Sequence, residues 1–224
     1  SSRNLFCINI WTRTNIYEIM KYILALLLCL GLGLHSKVAP NQIFIRVFKY
    51  EKELEVWSYK EGAYELIKTY NICKLSGGFG PKRYEGDLQV PEGIYEVTRL
   101  NPHSNYRKSI KINYPNKSDS ILSPYVKKGG EIYIHGKCVS IGCIAIGDKA
   151  IDELYYIVNQ SSKTIVHIFP VRYNKHNQYY LNSLKYQPKL SKFETNLAQF
   201  YYYFEDNNQV PNTYIDSIGR YTFE

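Results

Sequence analysis

The hydrophobic pattern opens with the run Q-I-F-I-R-V-F-K-Y over residues 42–50, rich in β-branched and aromatic side chains, which predicts a strand. A short charged turn, Glu51-Lys52-Glu53, separates it from a second apolar stretch over residues 54–59. Glu61-Gly62 then leads into a third over residues 64–73. Strand, turn, strand, turn, strand predicts a β-meander. Residues 75–97 read L-S-G-G-F-G-P-K-R-Y-E-G-D-L-Q-V-P-E-G-I-Y-E-V, a glycine- and proline-rich loop running into a strand at 94–97. Pro91 and Gly93 read as turn chemistry within it. Ile110 and Ile112 alternate with Lys111 and Asn113, and Ile132 and Ile134 alternate with Tyr133 and His135, so two further strands are expected.

The period then changes. After Gly147, Asp148 suits an N-cap, and Ile151, Leu154, Tyr155 and Val158 fall at i, i+3, i+4 and i+7, which predicts a helix with one buried face. Residues 164–169, T-I-V-H-I-F, predict another strand, stopped by Pro170, with His167 as a packing histidine. Residues 172–188 are polar and tyrosine-rich with no clear period. Ser191 and Glu194 have the spacing of a capping box, and Phe193, Leu197, Phe200, Tyr201 and Phe204 form an apolar stripe, which predicts a helix over about residues 192–206. Residues 214–223 are expected to pair as a short hairpin.

Met20 is the sole methionine, and from it the chain reads M-K-Y-I-L-A-L-L-L-C-L-G-L-G-L-H-S. One positive residue followed by a short apolar run is the layout of a secretory signal peptide, or of an uncleaved anchor in contact with the membrane. On this reading residues 1–19 are upstream read-through and 20–36 the signal or anchor. Residues 37–170 are expected to form the main domain and 171–224 a C-terminal extension. The chain has 224 residues, 45% hydrophobic and 15% aromatic, enough to bury a core. The chain's net charge is +8, and without residues 1–36 it is +6, with 25 basic and 19 acidic side chains. That balance suits an anionic wall or membrane surface, but no basic cluster is interleaved with stacking aromatics, so nucleic acid is not an expected partner.

The candidate chemistry lies in E-I-Y-I-H-G-K-C-V-S-I-G-C-I-A-I, residues 131–146. Gly136 lets the chain turn where a Cβ would obstruct it, and Gly142 precedes Cys143. A thiol nucleophile, Cys143, has a base available in His135, a hydroxyl in Ser140, and backbone N–H groups around Gly142 as oxyanion donors. His135, Cys138 and Cys143 do not have a standard zinc spacing, so no metal and no cofactor is expected.

This segment resembles the active-site motif of the L,D-transpeptidase (YkuD-type) catalytic domain family: His135-Gly136, a variable loop, then Ser140-Ile141-Gly142-Cys143. The short loop, the G-D-x-Q-x-P-E-G run from Gly86 to Gly93, and the L-N-P-x-S-x-Y, Y-P-N-x-x-D and V-H-I-F-P pieces resemble its YafK-like branch. The resemblance implies a mainly β (α+β) fold. It would be an L,D-transpeptidase-like β-sandwich or barrel with one helix after the catalytic cysteine and a helical C-terminal extension. It also implies an exported enzyme of the periplasm or cell envelope that acts on peptidoglycan stem peptides through a Cys143 thioester. A backbone carbonyl, that of Gly136, would orient His135. In some members of the branch a wall-attached lipoprotein is the partner that is released. Where the family usually has Arg two residues past the cysteine, this chain has Ala145, which weighs hydrolysis equally with transpeptidation.

Lys82 and Arg83 are candidate contacts for a substrate carboxylate, with Tyr114 beside them as a substrate-binding candidate. His103 reads as a solvated loop histidine. With the signal removed three cysteines remain. An oxidising compartment favours one pair and one free thiol, and the expected disulfide is Cys73–Cys138, leaving Cys143 free. The competing reading is a non-catalytic, peptidoglycan-binding envelope protein, although binding alone has no need of an activated thiol.

Overall fold

In a computed structural model the chain is described over residues 41–224; the expected read-through and signal segments lie outside the described residues. The meander forms as β1 (Gln42–Phe48), β2 (Glu53–Lys60) and β3 (Ala63–Asn71). It is followed by β4 (Gly93–Ser104), β5 (Arg107–Ile112), β6 (Tyr133–His135), β7 (Ile144–Ala145) and β8 (Lys163–Phe169). These eight strands make one sheet in the order β3-β2-β1-β8-β4-β5-β6-β7. The parallel β1–β8 pairing sets Ile43 opposite Thr164 and Phe48 opposite Phe169. Beyond β3, Lys74 bridges to Ala145 of β7, which brings the two edges of the sheet together.

The first strand has no polar alternation because both of its faces are buried. Ile43, Ile45 and Val47 join Val166 and Ile168 in one core, closed by Ile151, Leu154 and Val158 of α2 (Asp148–Asn159). Phe48 and Phe169 face the other way, against Phe193, Leu197, Phe200 and Tyr201 of α4 (Pro188–Asn207). Near-continuous apolar strands are what a sheet covered on both faces requires. Arg46 lies on the α4 side and is buried; it pairs with Glu205 at 2.7 Å, and its guanidinium lies 4.9 Å from the ring centres of Phe48 and Phe204.

Both helices differ from expectation at their starts. Gly147, not Asp148, is the N-cap of α2, and Asp148 accepts instead from the Lys137 N–H at 2.7 Å. The α4 helix begins at Pro188, four residues earlier than the capping-box reading placed it, so Ser191 and Glu194 lie inside the helix. Proline at the first helical position needs no N–H and comes with a helical φ, and it outweighs the S-x-x-E signal. The capping box that does form is Asn116 with Asp119, at α1 (Lys117–Leu122). The aperiodic stretch after β8 holds short 3-10 turns and α3 (Gln178–Ser183), none of whose residues is buried. The tail closes as the hairpin of β9 (Thr213–Ile215) and β10 (Tyr221–Phe223).

Gly93 has φ +146°, and a Cβ there would meet the Tyr221 hydroxyl at 2.5 Å, so its role is structural. His167 is a packing histidine, its ring 4.7 Å from Phe44 and 6.1 Å from Phe200. Neither ring nitrogen has a partner.

Candidate active site

Two strand ends place the candidate pair. His135 is the last residue of β6, and Cys143 immediately precedes β7, which runs parallel to β6 with Ile134 opposite Ile144 and His135 opposite Ala145. The intervening loop therefore returns the thiol to the flank of the strand that carries the imidazole. Both side chains line one cavity of about 400 Å³.

The loop is held at every turn. Gly136 is packed so closely that a Cβ would lie 2.6 Å from the Tyr106 carbonyl oxygen and 2.7 Å from an Asp148 carboxylate oxygen. The Ile146 N–H donates to the His135 carbonyl at 3.0 Å, and the Gly147 N–H donates to the Lys137 carbonyl at 3.2 Å. Cys138 forms a disulfide with Cys73, tying the middle of the loop to the segment after β3. That bond takes the Cys138 sulfur away from any metal set with His135 and Cys143, and Cys143 is the free thiol. Ser140 donates from Oγ to the Cys143 carbonyl at 2.6 Å and accepts from the Gly142 N–H at 3.2 Å. The Gly142 N–H, expected as an oxyanion donor, is thus engaged by Ser140.

His135 has its Nδ1 2.6 Å from the Gly136 carbonyl oxygen. A carbonyl oxygen can only accept, so Nδ1 carries the proton and Nε2 is left basic. Burial pushes the imidazole below its usual pKa, and the Gly136 contact opposes this. Burial also pushes the Cys143 thiol up, against a backbone hydrogen bond from Tyr133 and the charge of Lys82. Both shifts favour the neutral thiol and the neutral imidazole in the resting site.

The wall opposite the loop comes from the β4–β5 hairpin, through Asn101, His103, Ser104 and Tyr106. The L-N-P-x-S-x-Y stretch therefore borders the cavity. His103 sits at the end of β4 within this wall. Tyr106 packs its ring 4.7 Å from that of His135, a contact no sequence signal gave. Tyr133 also lines the cavity, its hydroxyl held by Arg99 at 2.7 Å.

Lys82, Arg83 and Tyr114 are not brought to this cavity. Lys82 is buried, paired with Asp87 and bonded to the Tyr84 carbonyl at 3.0 Å. Arg83 lays its guanidinium 5.2 Å from the ring centre of Phe193 on α4. Tyr114 is buried and donates to the Lys128 carbonyl at 2.7 Å. The Y-P-N-x-x-D piece likewise turns inward, as the cap of α1. At position 145 the family's usual arginine is replaced by a fully buried alanine whose N–H and carbonyl both bond to Lys74.

The YkuD family, described as the L,D-transpeptidase catalytic domain, matches residues 43–168. A curated relative named "Putative L,D-transpeptidase YafK", from Escherichia coli (strain K12), is 36% identical over 193 residues, covering 83% of this chain and 75% of its own length. Its counterpart in Escherichia coli O157:H7 matches to the same extent. Among solved structures, the helical cell shape determining protein Pgp2 from Campylobacter jejuni is similar in fold. The TM-score is 0.52 at 22% identity, over 79% of this chain and 73% of that one.

Proposed function

Because the chain belongs to the YkuD family of L,D-transpeptidase catalytic domains, we propose that it is a cysteine acyl-transfer enzyme acting on peptidoglycan stem peptides. The observation that carries this reading is the shared cavity of Cys143 and His135, with the ring held at Nδ1 by Gly136.

In the first step Nε2 of His135 takes the thiol proton as Cys143 attacks a stem-peptide carbonyl on the carboxyl side of an L-configured centre. The negative oxygen that develops is met by the backbone N–H of Cys143, because the Gly142 N–H is held by Ser140. The imidazolium then gives its proton to the departing amine, leaving a thioester on Cys143. An acceptor amine resolves the thioester into a cross-link or an attached protein, and water resolves it into a trimmed stem or a released lipoprotein. Ser140 acts by bracing the loop from Cys143 back to Gly142. The reading implies an exported protein of the periplasm or cell envelope, and the Cys73–Cys138 disulfide supports an oxidising compartment.

The test incubates the full chain and its Cys143→Ala variant with purified peptidoglycan, with and without covalently attached protein, and analyses the products by mass spectrometry. New cross-links or exchanged terminal residues that vanish in the variant identify a transpeptidase. Released protein or shortened stems that vanish identify a hydrolase. Identical products from both proteins refute the enzymatic reading and leave a wall-binding protein.

A further inference from the structure

Away from the cavity, two carboxyl groups meet in the interior beside a single cation. Glu92, at the end of the 75–92 loop, is fully buried, and so is Glu194 on α4. Lys49 Nζ donates to Glu92 Oε1 at 2.8 Å and to the carbonyls of Val90 and Gly80 at 3.0 and 3.2 Å. The Gly80 N–H donates to the same Oε1 at 2.8 Å, and the Tyr173 hydroxyl donates to Glu194 Oε2. Glu92 Oε2 and Glu194 Oε1 are left buried with no donor, and Glu92 is the neighbouring carboxyl group that acts on Glu194. Two ionised carboxylates do not hold such a position, whereas one proton between them satisfies both oxygens.

The groups facing this pair are Lys49, one residue past the end of β1, and Tyr173 and Tyr180 from the segment before α4. Lys49 balances one carboxylate, so the cluster is neutral when one proton is held. The same loop packs on α4 through Arg83 over Phe193, and Leu190 lies 3.8 Å from the Cβ position of Gly80. Its other parts reach the nucleophile's loop: Ser76 Oγ is 3.5 Å from Ser140 Oγ, and the Gln89 carbonyl oxygen is 3.4 Å from the Cβ position of Gly142.

We propose that Glu194 is a positioning residue for the nucleophile's loop. It shares one proton with Glu92, and that proton fastens the C-terminal helix to the 75–92 loop that backs Ser140 and Gly142. Its consequence for Cys143 rests on the enzymatic reading; the fastening itself does not. Burial and the neighbouring Glu92 raise Glu194 well above the ordinary carboxylate range. A carboxyl raised in the folded state supports the fold below its ordinary pKa, and this support fades as pH climbs toward the raised value.

The test is hydrogen–deuterium exchange on the full chain as wild type, Glu194→Gln and Glu194→Ala, from about pH 5 to about pH 9, corrected for the intrinsic rate. Glutamine keeps a neutral partner for Glu92 at every pH. The expected result is that protection of residues 76–92 and 140–143 falls in wild type relative to Glu194→Gln as pH rises. The limit is about tenfold per pH unit for one ionising group. Glu194→Ala, if folded, loses that protection throughout; if it does not fold, the comparison with glutamine decides. Protection that runs parallel in wild type and Glu194→Gln at every pH overturns the proposal. Exchange needs no turnover, so activity retained by Cys143→Ala would overturn the enzymatic reading and leave the shared proton standing.

Discussion

His135 donates from Nδ1 to the carbonyl oxygen of Gly136 at 2.6 Å, and this one bond assigns the basic role to Nε2. The partner is the next residue's own backbone, so the tautomer needs no third side chain. His135→Gln is expected to lower kcat/KM by about 10²–10⁴-fold, the usual worth of a positioned general base, and Cys143→Ala to abolish turnover. Stem-peptide turnover followed by mass spectrometry checks both.

The pH profile follows from the same geometry. Burial holds His135 below its ordinary value of 6.5. The imidazole is then already neutral at neutral pH, and kcat/KM should lose its acid limb only below pH 6.5. An acid limb centred above that value would contradict the buried base.

Cys143 is raised above the ordinary thiol value of 9.0, so the resting protein should not carry a thiolate at neutral pH. Alkylation of Cys143 by iodoacetamide should still be accelerating as pH passes 9.0. A plateau near neutrality would reveal a preformed thiolate–imidazolium pair instead.

Gly136→Ala places a methyl 2.6 Å from the Tyr106 carbonyl oxygen and 2.8 Å from the Arg107 Cβ. Neither is the far end of a flexible side chain, so the hairpin or the His-Gly turn must move. We expect a loss of about 1–3 kcal/mol in denaturant unfolding, with turnover falling further because the displaced carbonyl is the one that holds His135.

Replacing Cys73 and Cys138 together by serine opens a closure between residues 65 apart in sequence. The expected cost is about 2–4 kcal/mol of stability by denaturant titration. Cys143 should remain labelable in the variant, which separates lost rigidity from lost chemistry.

His167 is buried with both ring nitrogens unpartnered, and burial together with Arg46 lowers its pKa to about 3. Its support for the fold is complete above the unfolded value of 6.5 and is lost as pH falls toward about 3. The slope should reach about 1.4 kcal/mol per pH unit. His167→Phe removes the titrating group from an aromatic pocket of Phe44, Phe169 and Phe200. The variant should outlast wild type in thermal melts at mildly acid pH, and equal acid sensitivity would refute this account.

The strands, and the neighbouring positions of His135 and Cys143, were legible in the sequence because their signals are local. The alternation about Ile134, the helical spacing of Ile151, Leu154 and Val158, and the stripe from Phe193 to Phe204 each depend only on near neighbours. So does the His135–Gly136 turn. The start of α4 was misjudged because two local signals competed, and Pro188 outweighed Ser191. The short helix α3 left no trace because none of its residues is fully buried, and Tyr180 and Leu181, which turn partly inward, are too few to set a period. Lys82 read as a candidate contact for a substrate carboxylate because its partner Asp87 is fixed by the tertiary path of the loop rather than by a helical or strand repeat. The tilted Tyr106–His135 ring contact and the Glu92–Glu194 pair join distant segments and have no local signature.

The place of β8 between β1 and β4 has a temporal consequence. The meander ends at Asn71, and the half of the sheet carrying His135 and Cys143 begins at Gly93, yet neither half has its inner neighbour until Phe169 is in place. A chain emerging from its N-terminus therefore exposes its thiols before it owns a joined sheet. The last third of the sequence acts as the keystone, and folding is paced by contacts made across more than a hundred residues, such as Ile43 with Thr164. Truncation anywhere before Lys163 would leave β1 and β4 with open edges and the two halves of the sheet linked only at the Lys74–Ala145 bridge and the Cys73–Cys138 disulfide.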